Sequence, residues 1–135
     1  MVRWDYLIVD VFTNRPLACN QLAVFQDGAA IPEAMVQPLA KESGFAETVF
    51  RYPARDGGNA RMRIFTPENE IPFAGHPTLG TATVVAESLG KDRVVLESGR
   101  GPTPCASSRL VGLPPGARWS SRCRHPSPIA MRTSC

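Results

Sequence analysis

Residues Phe65-Thr66-Pro67-Glu68-Asn69-Glu70-Ile71-Pro72-Phe73-Ala74-Gly75-His76-Pro77-Thr78 run straight into an apolar-periodic stretch, Leu79 to Leu89, that stops at Gly90. This constrains the fold more than any other feature of the chain. Pro77 has no amide proton and a pre-set φ, which suits the first position of a helix. Gly90 suits the left-handed residue that ends one. The spacing predicts a helix over 77–89. With Glu87 as its only charged residue, that helix is expected to lie buried at the centre rather than on the surface. Gly75 and His76 then fall where orphan amides and the positive end of the helix dipole collect, a ready-made carboxylate or phosphate site. The segment points to a small molecule.

The residues before it supply the partners such a helix needs. Trp4 to Phe12 is an almost continuous run of β-formers and reads as a strand, followed by a turn at Asn14-Arg15-Pro16. Leu22 to Phe25 reads as a second strand, closed by Asp27-Gly28. Ile31 to Ser43 has the spacing of an amphipathic helix opened by Pro32 and ended by Gly44; Pro38 inside it predicts a kink or an early break. Glu47 to Arg51 is a third strand. Arg55 to Asn59 is a turn into Ala60 to Phe65, where Met62 and Ile64 alternate with Arg61 and Arg63 as in a half-buried strand. Arg93 to Glu97 is expected to be the last strand. Antiparallel hairpins with helices laid against them make an α+β lobe.

Charge divides the chain in two. Residues 1–100 hold ten Lys/Arg against twelve Asp/Glu, whereas residues 101–135 hold five Arg and no acid. That last stretch also carries six Pro, six Ser and three of the four Cys. The expected division is a folded body over 1–103 and an irregular Arg/Ser/Pro-rich tail over 104–135. Its arginines form no motif and no amphipathic face, so no nucleic-acid partner is expected. Cys105, Cys123 and Cys135 lack metal-ligand spacing, and no metal site is expected. No apolar run approaches the length of a membrane span, so no membrane partner is expected and a cytoplasmic location fits best.

Two side chains stand out chemically. Glu47 sits between Gly44-Phe45-Ala46 and Thr48-Val49-Phe50, where burial would raise its pKa toward an acid/base range. Local sequence by itself favours a strand-start carboxylate facing water. His76 reads locally as a helix-capping imidazole. Glu68 and Glu70 are most simply solvated turn carboxylates, and Asn69 a turn-former.

Val9-Asp10-Val11-Phe12-Thr13, then Asn20 with Ala23-Val24-Phe25, then Ala46-Glu47-Thr48-Val49-Phe50, and finally the whole Phe65-to-Thr78 segment occur in an order and spacing that resemble one family. Residues 1 to about 100 are similar to the N-terminal part of the PhzF-type phenazine-biosynthesis isomerases, relatives of diaminopimelate epimerase. The resemblance implies the N-terminal lobe of a diaminopimelate-epimerase-like fold, with mostly antiparallel strands curled around the 77–89 helix. It implies cofactor-free, proton-transfer isomerisation of a small carboxylated metabolite, and homodimers among full-length relatives. Glu47 falls at the position of the family's catalytic glutamate. Gly75 and His76 fall at its Gly-His pair, which contacts the substrate and helps to place the proton. Asn20 is carried as a substrate-binding candidate, in Cys19-Asn20-Gln21 where the family usually has Gly-Asn-Pro. Cysteine-based racemases of this fold carry a catalytic Cys immediately before the Gly-His step. This chain has Ala74 there, which implies the glutamate-dependent branch.

The resemblance stops after Gly99-Arg100-Gly101-Pro102-Thr103-Pro104. In the family a second lobe supplies a catalytic Asp and a Gly-rich turn that holds the substrate carboxylate. A change of reading frame is one expectation for the break, since the codons of Cys105-Ala106-Ser107-Ser108-Arg109 permit Val-Arg-Val-Glu-Pro one base earlier. Little or no turnover is therefore expected of this chain by itself. A non-catalytic small-molecule-binding fragment, or a defunct gene product, is the alternative.

Overall fold

A computed structural model describes residues 4–11 and 21–106. Among the described residues, seven strands and two α-helices follow one another as β1 (Tyr6–Asp10), β2 (Gln21–Phe25), α1 (Glu33–Ser43), β3 (Thr48–Tyr52), β4 (Ala60–Phe65), β5 (Glu70–Ile71), α2 (Gly75–Leu89), β6 (Arg93–Ser98) and β7 (Gly101–Ala106), with a 3-10 turn at Gly28–Ala30 before α1. The strands form one sheet in the order β1-β2-β3-β4-β6-β7, with β5 paired on β4.

Four strand pairings are antiparallel and two, β2–β3 and β4–β6, are parallel. The parallel pairs were not expected from a reading as hairpins. Each has a helix between its strands, and a helix-length connection returns the chain parallel to itself. The pairs run in opposite directions because β3 and β4 are antiparallel, while both connections step the same way across the sheet. Right-handed crossovers of that kind place their helices on opposite faces.

The core divides accordingly. Leu22, Val24, Val49, Met62, Ile64 and Leu96 pack with Ala82, Val85 and Ala86 of α2. On the other face Phe25, Phe50 and Phe65 pack with Val36, Leu39 and Ala40 of α1. The period-2 alternation along β2, β3 and β4 feeds both clusters at once. Tyr6, Phe25, Phe50 and Phe65 line up across four strands, with successive ring centroids 5.3, 4.8 and 5.4 Å apart.

Gly44 and Gly90 end the two helices in left-handed conformation, with φ of 70° and 64°, as their positions in the sequence predict. Some details differ from expectation, beginning with α1, which opens at Glu33 rather than Ile31. Pro38 causes no early break: α1 runs on to Ser43, because Pro38 is exposed while Leu39 and Ala40 on the next positions are fully buried against the sheet. The second helix starts at Gly75, so Pro77 is its third residue; the first intrahelical bond is the one from the Thr78 amide to the Ala74 carbonyl, so a residue at Pro77 has no helical acceptor to lose and proline fits there equally. Beyond Arg93–Ser98 there is a further strand, β7, whose residues 104–106 fall within the expected irregular tail. The two-residue turn Gly99-Arg100 between Ser98 and Gly101 brings it back onto β6. Residues 107–135, the Asn14-Arg15-Pro16 turn and Phe12 lie outside the described residues.

Candidate active site

Glu47 is set by the end of α1 and the start of β3. Gly44 turns the chain, and Thr48, fully buried, shares a 2.8 Å hydrogen bond with Ser43 of the last helical turn. Ser43 Oγ also donates to the Ala40 carbonyl. The loop between them is pinned at both ends, and β3 is a central strand paired on either side.

His76 is set by the segment after β4. Thr66 folds that segment into a tight turn: its amide donates to the Asn69 carbonyl, and its hydroxyl accepts from the Glu68 and Asn69 amides. Gln37 of α1 donates to the carbonyls of Thr66 and Pro67, tying the turn down. Glu70-Ile71 then pairs back onto β4, and Pro72 to Ala74 lead into α2. Asn69 is thus the turn-former its type suggests. Glu70 is not simply solvated, because Arg63 donates to both of its oxygens at 2.8 Å and to both oxygens of Glu33 at 2.7 and 2.9 Å. Those carboxylates raise the Arg63 pKa, Glu70 first and Glu33 second, and Arg63 in turn lowers that of Glu33.

The two segments meet. His76 Nδ1 lies 3.2 Å from Glu47 Oε2, across 29 residues of sequence. The side chains are 11% and 24% exposed respectively, so both are sheltered and both remain reachable. The burial suggested for Glu47 by its apolar neighbours is therefore partial. A carboxylate held against an imidazole at a helix start can take a proton from carbon, hold it and return it, while the ring fixes the carboxylate's orientation.

Ala74, extended at φ −151°, is the N-cap of α2, and no side chain caps the helix from that position. Thr78 returns to the Ala74 carbonyl through its amide at 3.2 Å and its hydroxyl at 2.7 Å. Gly75 is exposed, its φ lies outside the left-handed range, and a Cβ built there meets no atom of the described residues within 4 Å. Neither its backbone nor the packing of the described residues requires a glycine there. The open space over the first amides of a helix is where an anionic group approaches.

Three of the four residues expected at the site, Glu47, Gly75 and His76, are brought together. Asn20 lies outside the described residues. Among the described residues no group of three or more His, Cys, Asp and Glu side chains gathers to hold a metal, and no helix is long and apolar enough to cross a membrane. A recess of about 400 Å³ opens elsewhere, between Asn59 and the end of the β6–β7 hairpin, and includes none of these residues.

The family model for phenazine biosynthesis-like proteins, PhzC-PhzF, matches residues 9–121. The chain belongs to this family. It is 42% identical over 107 residues to the trans-2,3-dihydro-3-hydroxyanthranilate isomerase of Pseudomonas aeruginosa, a match covering 79% of this chain and 38% of that protein. Against the protein of the same name from Pseudomonas fluorescens it is 44% identical over 97 residues, covering 72% and 35%. The PhzF-family chain thus spans little more than a third of the curated relatives it matches. Solved structures agree: a PhzF-family phenazine biosynthesis protein of Bacillus anthracis has a TM-score of 0.70 at 30% identity, covering 78% of this chain and 36% of that one. One from Enterococcus faecalis has a TM-score of 0.70 at 32% identity, covering 80% and 42%.

Glu97 escaped the sequence reading. It is 2% exposed and accepts from the backbone amides of Arg55, Asp56 and Gly58 at 2.7, 2.8 and 2.8 Å. Those bonds, the Arg55 amide foremost, hold its pKa below the usual carboxylate range against the opposing effect of burial. The signal was a lone carboxylate at the end of Val94-Val95-Leu96, together with a glycine-rich turn whose amides needed acceptors.

Proposed function

We propose that this chain carries the acid/base part of a cofactor-free isomerase site for a small carboxylated metabolite. Glu47 takes a proton from one substrate carbon and returns it to another. His76 orients Glu47 and assists the transfer, and the first turn of α2 at Gly75 receives an anionic group of the substrate. The observation that carries this is the 3.2 Å contact between His76 Nδ1 and Glu47 Oε2 in the first turn of α2, whose N-cap residue, Ala74, supplies no side-chain cap. The curated relatives named as trans-2,3-dihydro-3-hydroxyanthranilate isomerases support a cyclic carboxylate as the substrate class. Atoms balance without a co-reactant, because one C–H bond breaks and another forms in the same molecule.

On this proposal the 135 residues alone turn over little, since Glu47 and His76 supply only one side of a two-sided cleft. The setting is cytoplasmic, and the arginines after residue 106 serve no nucleic acid. Full-length relatives' homodimers and a role for Asn20 in substrate binding belong to the same proposal. A change of reading frame near Cys105 is tested by the nucleotide sequence: second-lobe motifs in a flanking frame support it, and their absence from both frames removes it.

The functional test is a graft. Residues 1–103 of this chain, joined to the remaining part of the Pseudomonas aeruginosa relative, are expected to isomerise that relative's substrate in D2O with incorporation of solvent deuterium. A folded graft, shown by cooperative thermal unfolding, that binds the substrate yet exchanges no proton would contradict the proposal.

A further inference from the structure

His76 reaches Glu47 only if the lead-in to α2, Pro72 to Ala74, follows one path. That lead-in is braced by the tip of the β6–β7 hairpin. Ser98 and Gly101 face each other across the two-residue turn Gly99-Arg100. The strand beneath is anchored, because Glu97, just before the turn, takes three amides of the 55–58 loop. Within the tip, the Arg100 amide donates to Ser98 Oγ at 3.3 Å, and Ser98 Oγ donates to the Gly101 carbonyl at 3.4 Å.

Two independent contacts run from this tip to the lead-in. A Cβ built at Gly99 would stand 2.9 Å from Pro72 Cα, 3.0 Å from its Cβ and 3.1 Å from its carbonyl oxygen. The two backbones therefore meet at a separation that only glycine permits. One residue on, the exposed Arg100 guanidinium lies 5.3 Å from the centroid of the Phe73 ring, within cation–π range. Pro72 and Phe73 are held from the same side, immediately before the extended Ala74 that opens α2.

We propose that Arg100 is a positioning residue for the Glu47–His76 pair, acting through Phe73, with Gly99 seated on Pro72. This placement rests on Glu47 and His76 being the reacting groups. The brace sets the direction in which the first turn of α2 leaves the lead-in, and so the placement of the His76 ring relative to Glu47. Hydrogen bonds lose strength steeply outside their favoured geometry, so a small swing of that turn separates the pair. One guanidinium on one ring is a modest contact, so its removal loosens the lead-in without unfolding the sheet.

The test uses the 135-residue chain and needs no turnover. In Arg100→Ala, hydrogen exchange at the Thr78 amide, whose acceptor is the Ala74 carbonyl, is expected to accelerate about two- to fivefold, the range an exposed cation–ring contact supports. The His76 ring 15N resonances are expected to move with it, while exchange at the Val49 amide in the core stays unchanged. Arg100→Lys, which keeps a cation over the ring, is expected to restore part of both signals. Gly99→Ala, pressing on the Pro72 backbone, is expected to displace the same resonances further. Wild-type exchange at Thr78 together with wild-type His76 resonances in Arg100→Ala would overturn the proposal, and that comparison decides the matter even if Gly99→Ala fails to fold. A negative result here leaves the graft's proton exchange untouched, and failure of the graft leaves this geometric coupling untouched.

Discussion

Gly75→Ala separates what the fold needs from what the site needs. The position has no left-handed backbone, and its added methyl group meets nothing within 4 Å among the described residues. Replacing a glycine by alanine at such a position stabilises by about 0.4–1 kcal/mol, because the unfolded chain loses freedom while the folded chain is unstrained. For a chain of this size that corresponds to a rise in Tm of about 2–5 °C. The same methyl group projects into the space where a substrate anion would approach the first amides of α2. A displacement of about 1 Å in a bound substrate can cost on the order of a hundredfold in rate. Thermal unfolding of the 135-residue chain and kcat/KM of the graft should therefore move in opposite directions, with Tm up and kcat/KM down by about ten- to a hundredfold. A fall in Tm would show that the space over Gly75 is occupied, and an unchanged kcat/KM would show that no ligand uses it. Either result refutes the reasoning.

Gly80→Ala, one and a half turns along the same helix, should do the reverse. Its Cβ would stand 2.7 Å from Leu22 Cδ2 and 3.0 Å from Val11 Cγ2, so overpacking of about 1–3 kcal/mol outweighs a helix-propensity gain of about 1 kcal/mol or less, and urea unfolding should show net destabilisation. Pro38→Ala restores an amide inside α1 at an exposed position and should raise stability by about 1–3 kcal/mol in the same assay. Glu97 has a pKa lowered in the fold by the Arg55, Gly58 and Asp56 amides, so folding favours its anion. Its contribution is complete above the ordinary glutamate value of about 4.3 and is lost as pH falls through the lowered folded value. Glu97→Gln should therefore lower Tm at neutral pH and flatten the dependence of Tm on pH below about 4.3; a wild-type acid limb in the variant would remove this assignment.

The local devices of this fold are legible because local chemistry fixes them. Gly44 and Gly90 stop their helices where the apolar periodicity runs out, and Met62 and Ile64 alternate with Arg61 and Arg63 because the α2 face of β4 is core along the strand, whereas its other face is buried only at Phe65. Pairing is not local. Nothing in Leu22–Phe25 or Thr48–Phe50 states that these strands lie parallel; that follows from the helix between them. β7 carries Pro102 and Pro104, which argue against a central strand and are tolerated at the sheet's edge. Pro38 survives because tertiary packing of its neighbours overrides propensity.

At the site, the segment Phe65 to Thr78 announces a helix start with a histidine in it. Glu47 stands 29 residues away, and its pairing with His76 was reached only through resemblance. Glu97 went unread for the same reason: the amides it accepts from lie about 40 residues earlier in the chain.

The claim that Glu47 moves the proton is tested most directly by one ratio, the rate of solvent-deuterium incorporation into substrate by the folded graft with Glu47 over that with Glu47→Gln. The amide is nearly isosteric and can still accept a bond from His76, but it cannot serve as the base. Positioned acid/base groups contribute about 10²–10⁴ in rate, so the ratio should be at least about 100. Equal rates in the two proteins, with the substrate bound in both, would contradict the account.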